Sequence, residues 1–69
     1  MKTANITASA RQNLQDLKIS QGDENYIKRY LENNYIDHGV YVIDIPGGPI
    51  LSVTASNNEN TIYVDEVKK

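Results

Sequence analysis

The sequence predicts a small α+β domain in which two N-terminal helices pack on one face of a three-stranded antiparallel β-meander. Three observations predict it. Apolar residues recur at helical spacing before residue 37, β-branched and aromatic residues alternate after residue 39, and turn-forming residues separate these segments. Residues 1–69 form one domain, and because the chain has no cysteine its stability depends on an apolar core.

The N-terminal segment leads into a first helix. Residues 2–6 are equally compatible with a short extra strand and with a disordered lead, because Ile6 is their one large apolar residue. Thr7 or Ser9 can cap the helix that follows, which we expect to end near Ile19. Its apolar positions recur at i, i+4 and i+7: Ala10, Leu14 and Leu17.

A second helix is predicted from Glu24 to Asp37. Asp23 is its candidate N-cap, and Glu24 with Lys28 forms a favourable i,i+4 charge pair. Gly39 is expected to end the helix by taking the left-handed conformation. The stripe on this helix contains Tyr26, Ile27, Tyr30, Leu31 and Tyr35.

A β-hairpin follows, with strands over residues 40–45 and 50–55 joined by the turn at 46–49. Pro46 sets the φ of the second turn position, and Gly47 and Gly48 can take positive φ. Alternation predicts a core face of Tyr41, Ile43, Ile45, Leu51, Val53 and Ala55. The opposite face carries Val40, Val42, Asp44, Ile50, Ser52 and Thr54.

The last segment is predicted to be a third strand, over residues 61–67, after a polar loop at 56–60. Ile62 and Val64 share one face of this strand. The opposite face is expected to carry Tyr63, Asp65 and Val67. The strand completes the meander.

Composition excludes several functional classes. A formal net charge of −2 has the wrong sign for a non-specific nucleic-acid binder. No apolar run approaches the roughly 20 residues that a transmembrane helix needs, and residues 1–5 lack the apolar core of a signal peptide. We therefore expect a cytoplasmic protein with no membrane association.

No pattern indicates catalysis, a metal or a cofactor. His38 is the one histidine, and its expected role is to stabilise the C-terminal end of the second helix. Gly47 and Gly48 precede a strand, whereas a phosphate-binding loop precedes a helix. We therefore predict a protein that is not an enzyme, with no catalytic residues, no metal, no cofactor and no small-molecule substrate.

The leading functional hypothesis is a small regulatory module that binds another protein or a second copy of itself. The predicted outer face of the sheet is too apolar to be left wholly to water, and tyrosine is common at protein interfaces. Unpaired sheet edges also favour dimers or peptide capture by strand addition. The candidate protein-binding residues are Val40, Val42, Ile50, Tyr63 and Tyr26.

A nucleic-acid-binding accessory protein is the alternative hypothesis. Lys28 and Arg29 lie beside Tyr26 on the second helix, a combination that single-strand binders use for backbone contact and base stacking. Acidic neighbours weaken the patch, so a solvated helix face is the simpler interpretation.

The brevity and the Asn- and Tyr-rich, cysteine-free composition resemble those of small phage or mobile-element proteins. Many such proteins inhibit a host protein, so the resemblance implies a regulator that acts by occupying a surface. It is a resemblance of composition and involves no motif.

Overall fold

The computed structural model describes residues 2–69, which form two helices and a four-stranded mixed sheet. The predicted α+β class is confirmed, but the sheet has one strand more than a three-stranded meander and is not wholly antiparallel. The elements are β1 (Thr3–Ile6), α1 (Ala8–Asp16), α2 (Gln21–Asn34), β2 (Gly39–Asp44), β3 (Ile50–Asn58) and β4 (Thr61–Lys68).

The extra strand is β1, which forms one edge of the sheet in the order β1-β4-β3-β2. It pairs in parallel with β4, so that Ala4 lies opposite Ile62 and Ile6 lies opposite Val64. Ala4 is buried in the core although its side chain is a single methyl group. The pairing joins opposite ends of the chain, and so local sequence pattern left this segment undecided.

Helix α1 begins with a side-chain cap and ends with a Schellman motif. The hydroxyl of Thr7 accepts the Ala10 N–H at 3.2 Å and donates to the Val64 carbonyl at 2.8 Å, which ties the helix start to β4. At the other end the Lys18 N–H donates to Gln15 O at 3.1 Å, and the Ile19 N–H donates to Leu14 O at 2.9 Å. Lys18 has φ 59°, so the helix ends before the predicted Ile19.

Helix α2 begins earlier and ends earlier than predicted. The N-cap is Ser20, whose hydroxyl accepts the Asp23 N–H at 3.2 Å, so Asp23 lies inside the first turn. The last helical residue is Asn34, and Gly39 does not cap the helix with a left-handed conformation but begins β2.

The hydroxyl of Tyr41 holds the segment between α2 and β2. It accepts the N–H groups of Ile36 and Asp37 at 3.0 and 3.1 Å and donates to the Asp37 carbonyl at 2.6 Å. Three bonds to one side chain replace the helical bonds that residues 36 and 37 would otherwise make. A side chain from the start of β2 therefore holds residues 36 and 37 in a non-helical path, and the helix ends before the predicted Asp37.

The β2–β3 hairpin buries the predicted face of its strands. Ile43 lies opposite Leu51, and both are fully buried. The Gly48 N–H donates to Ile45 O at 2.9 Å and Gly47 has φ 73°, which is the geometry of a type II turn with proline at its second position. The predicted core face of the hairpin is thus confirmed, with Tyr41 half-buried at its end.

A β-bulge in β4 changes the predicted alternation. Thr54 pairs with Glu66 and Ala55 pairs with Val64, which leaves Asp65 as an extra residue. Because one inserted residue reverses the faces that follow it, Val67 points into the core and is buried. The prediction that Val67 shares the outer face with Tyr63 is therefore wrong.

One apolar core lies between the helices and one face of the sheet. It contains Ala4, Ala10, Leu14, Ile27, Leu31, Ile43, Ile45, Leu51, Val53, Ala55, Ile62, Val64 and Val67. The Arg11 guanidinium and the buried Glu24 carboxylate join α1 to α2 at 3.0 Å, and so Glu24 pairs with Arg11 instead of the predicted Lys28. No helix within residues 2–69 is long and apolar enough to cross a membrane.

Candidate protein-binding surface

The face of the sheet that the helices do not cover, here called the open face, carries an aliphatic corner formed by Val40, Val42 and Ile50. These side chains are 66%, 63% and 59% exposed, respectively. Their cross-strand neighbours are polar, since Val40 lies opposite Thr54 and Val42 opposite Ser52. Ile50 lies diagonal to Val42, within reach of its side chain. Three β-branched side chains are therefore exposed together.

Two residues of the aliphatic corner, Val40 and Val42, lie on β2, whose outer edge is unpaired. The Ile45 N–H donates to Pro49 O across the hairpin at 3.3 Å, so the backbone of Ile45 is directed toward β3. Backbone direction alternates along an antiparallel strand, and so the N–H and C=O groups of Val40, Val42 and Asp44 point away from β3. Within residues 2–69 these groups have no hydrogen-bond partner in the protein.

The opposite edge of the sheet is protected. Thr3 and Thr7 donate their N–H groups toward β4, so the Ala4 N–H points outward, where it donates to the Glu32 carboxylate at 3.0 Å. Helix α2 packs beside this short strand and supplies Glu32. The two edges therefore differ: a side chain occupies one outward N–H of β1, that of Ala4, while β2 presents its polar backbone groups to solvent.

The other candidate protein-binding residues lie away from the aliphatic corner. Tyr63 is half-buried on the open face of β4, between Ser56 and Asn5, and polar β3 residues separate it from Val40 by about two strand spacings, roughly 10 Å. Tyr26 lies on α2, on the other side of the sheet, and is 38% exposed. The structure therefore groups three of the five predicted residues.

Tyr26 lines a separate groove on the outer flank of α2. The groove has a volume of about 340 Å³ and is lined by Tyr26, Arg29, Tyr30, Asn33 and Asn34. Lys28 is rotated by about 200° from Tyr26 around the helix axis, toward the flank that carries Glu32. The predicted trio is therefore divided, with Tyr26 and Arg29 in the groove and Lys28 outside it.

The single histidine lies apart from any cluster of side chains that could hold a metal ion among the described residues. His38 lies in the loop after α2, where its N–H donates to the Asp37 carboxylate at 2.7 Å, so it does not stabilise a helix end as predicted. Among the described residues, no group of three or more histidine and acidic side chains is arranged to hold a metal ion.

Two tyrosines form a packed pair beneath the start of β2. The rings of Tyr35 and Tyr41 stack with centroids 5.7 Å apart, and the Lys2 ammonium lies 5.1 Å from the Tyr35 centroid. The Tyr35 hydroxyl is buried and has no partner among residues 2–69. Its burial, together with the charges of Asp37 and Asp65 and the proximity of Tyr41, raises the pKa of Tyr35.

Sequence reasoning missed Ile36, which is 89% exposed at the α2–β2 connection. Ile36 is nine residues after Ile27, which would place it on the side of a continued helix opposite the core. That spacing was the available signal. The loop instead presents Ile36 to solvent shortly before the start of β2.

Comparison of the chain with models of protein families, with curated proteins and with solved structures finds no match. Function is therefore proposed from the surface geometry.

Proposed function

We propose that the protein is a non-enzymatic module that binds another protein through the aliphatic corner and thereby regulates it by occupying a surface. The observation that carries the proposal is the exposure of Val40, Val42 and Ile50 together, on a face that otherwise carries polar and charged residues and the half-buried Tyr63. A small apolar centre with a polar rim is the arrangement of protein interfaces.

The rigid core supports this use of the corner. Residues that alternate with the corner along β2 and β3, such as Ile43 and Leu51, are fully buried. The exposed side chains are therefore held on a preorganised sheet, which lowers the entropic cost of binding. A regulator of host proteins, as small phage or mobile-element proteins often are, would use such a surface. A cytoplasmic location fits this role and stays part of the proposal.

The size of the expected effect follows from the exposed area. Full burial of a valine or isoleucine side chain contributes about 1.5–3 kcal/mol, so corner residues that are roughly 60% exposed contribute about 1 kcal/mol each. Replacement of Val40, Val42 and Ile50 by serine should therefore weaken binding by about 3 kcal/mol, or more than a hundred-fold in Kd.

Affinity capture from the native host, followed by calorimetry with the purified partner, tests the proposal. The triple serine variant should lose the partner while its circular dichroism and melting temperature stay those of a folded domain. A matched control replaces Ser52, Ser56 and Thr61 on the same face by alanine and should retain binding. Equal affinity of the two variants would contradict the proposal.

The α2 groove favours a second candidate function, the binding of single-stranded nucleic acid. Two tyrosines and Arg29 can stack on bases and contact phosphate, and Asn33 and Asn34 can bond base edges. Fluorescence anisotropy with labelled single strands at low salt should then show binding that weakens about ten-fold on Arg29→Ala or Tyr26→Ala. Lys28→Ala is the matched control, since it lies outside the groove. Absence of binding at low salt removes this candidate.

A further inference from the structure

We infer that the free edge of β2 pairs antiparallel with β2 of a second copy of the chain, which joins the two sheets into one of eight strands. The inference concerns backbone groups at the edge, and so it stands independently of whether the aliphatic corner binds another protein. It rests on the direction of those groups, on the protection of the opposite edge, and on one register of the paired strands.

The unpaired groups are all on the side that a second strand would approach. The N–H and C=O groups of Val40, Val42 and Asp44 point outward from the edge, and none has a partner within residues 2–69. The side chains of these residues lie on the open face. A two-fold axis perpendicular to the sheet would place the same side chains of the second copy on that face as well. Antiparallel pairing of identical strands satisfies the outward groups of Val40 and Val42 of both copies equally.

Sheet edges normally carry a device that prevents such pairing, and the two edges differ in this respect. At β1 the Glu32 carboxylate occupies the outward Ala4 N–H, and α2 packs alongside. β2 carries no proline or lysine, and of its three residues with outward-directed backbone groups two are valine and one, Asp44, is charged. The less protected edge is therefore also the edge with exposed apolar side chains.

One register is complementary in both charge and polarity. Placing Val40 opposite Val42 of the second copy pairs the valines with each other and sets Asp44 opposite the second copy's His38, which precedes β2 and is exposed. A shift of two residues keeps Val42 opposite its own copy, but it places Val40 opposite Asp44 and removes the pairing of Asp44 with His38. The register with Val40 opposite Val42 is favoured, because it sets the Asp44 carboxylate opposite an imidazole that can donate a hydrogen bond and places the valines together at the centre.

The second copy would also extend the apolar surface. In this register the two aliphatic corners lie side by side across the two-fold axis, and the Tyr41 residues of the two copies meet on the core side. A pair of six-residue strands is a small interface, so the dimer is expected to be weak.

Sedimentation velocity of the purified full chain, from about 5 µM to about 1 mM, tests the inference, because mass action should convert monomer into dimer over that range. Val42→Pro removes an N–H that no group in the monomer uses, and Val42→Lys places a charge at the edge. Each should raise the dimer Kd at least about ten-fold. Ser56→Lys, on the same face but on an interior strand, is the matched control and should dimerise normally.

The register has its own test. Asp44→Lys should weaken the dimer about two- to five-fold by opposing a cation to His38 of the second copy, and adding His38→Glu should restore it. A chain that stays monomeric up to 1 mM, or a dimer that both Val42 variants leave intact, would overturn the inference. Circular dichroism of each variant identifies any loss of folding. Because these measurements use the chain alone, they are separate from the partner-binding experiment.

Discussion

Lys18 occupies a position that favours glycine, and its replacement should stabilise the protein. Its φ of 59° closes the Schellman motif of α1, in which the Ile19 N–H donates to Leu14 O at 2.9 Å. A residue with a Cβ costs about 1–2 kcal/mol in this conformation, whereas glycine has no such cost. The greater freedom of glycine in the unfolded chain lowers the free energy of unfolding by about 0.4–1 kcal/mol, which offsets part of this gain. We therefore expect Lys18→Gly to raise the free energy of unfolding by about 0.5–1 kcal/mol.

Urea denaturation followed by circular dichroism measures the change, and thermal denaturation should show a melting temperature about 2–8 °C higher. Lys18→Ala is the matched control, because it removes the same long side chain but keeps the Cβ, and its stability should stay near that of the original chain. Lys28→Gly, inside α2, should lose about 1 kcal/mol. If Lys18→Gly is no more stable than Lys18→Ala, the backbone explanation is refuted.

Three further predictions concern polar groups that the fold encloses. Tyr35→Phe should leave stability at neutral pH unchanged or higher, since the buried hydroxyl has no partner among the described residues. The raised pKa of Tyr35 favours its neutral form in the folded state, so the stability of the original chain is full below the ordinary tyrosine pKa and falls as pH rises through the raised value. The substitution should remove part of this alkaline loss of stability. Arg11→Ala should cost about 1–2 kcal/mol by leaving the Glu24 carboxylate buried without its partner, and a double-mutant cycle with Glu24→Gln should show positive coupling in urea denaturation. Glu32→Ala should cost about 1 kcal/mol and speed hydrogen exchange of the Ala4 amide measured by NMR, while Glu32→Gln, which keeps an acceptor, should change exchange less.

Residues close in sequence determined the hairpin. Pro46 and Gly47 specify the type II turn, and the alternation of Ile43 and Leu51 with exposed neighbours specifies which face is buried. Because period-two patterning and turn chemistry are local, the exposed side chains of Val40 and Val42 could be predicted before any tertiary contact was known. The aliphatic corner is thus a property of the sequence.

Other features depended on contacts between distant residues. The parallel pairing of β1 with β4 and the bulge at Asp65 that buries Val67 each join segments whose patterns do not refer to one another. The end of α2 depended on the Tyr41 hydroxyl, which is near in sequence but belongs to a separate strand. The N-cap of α2 is Ser20, not Asp23. Serine and aspartate are both preferred N-cap residues, so the type of residue did not decide between them.

The sequence alone therefore determined the α+β class, the hairpin and its exposed aliphatic residues, because each follows from local periodicity and turn chemistry. Tertiary structure decided which strand lies at each edge, which edge is protected by Glu32, and which tyrosines lie apart from the corner. The physical reason is that strand order and edge exposure arise from backbone hydrogen bonds between distant segments, and any residue except proline can donate such bonds.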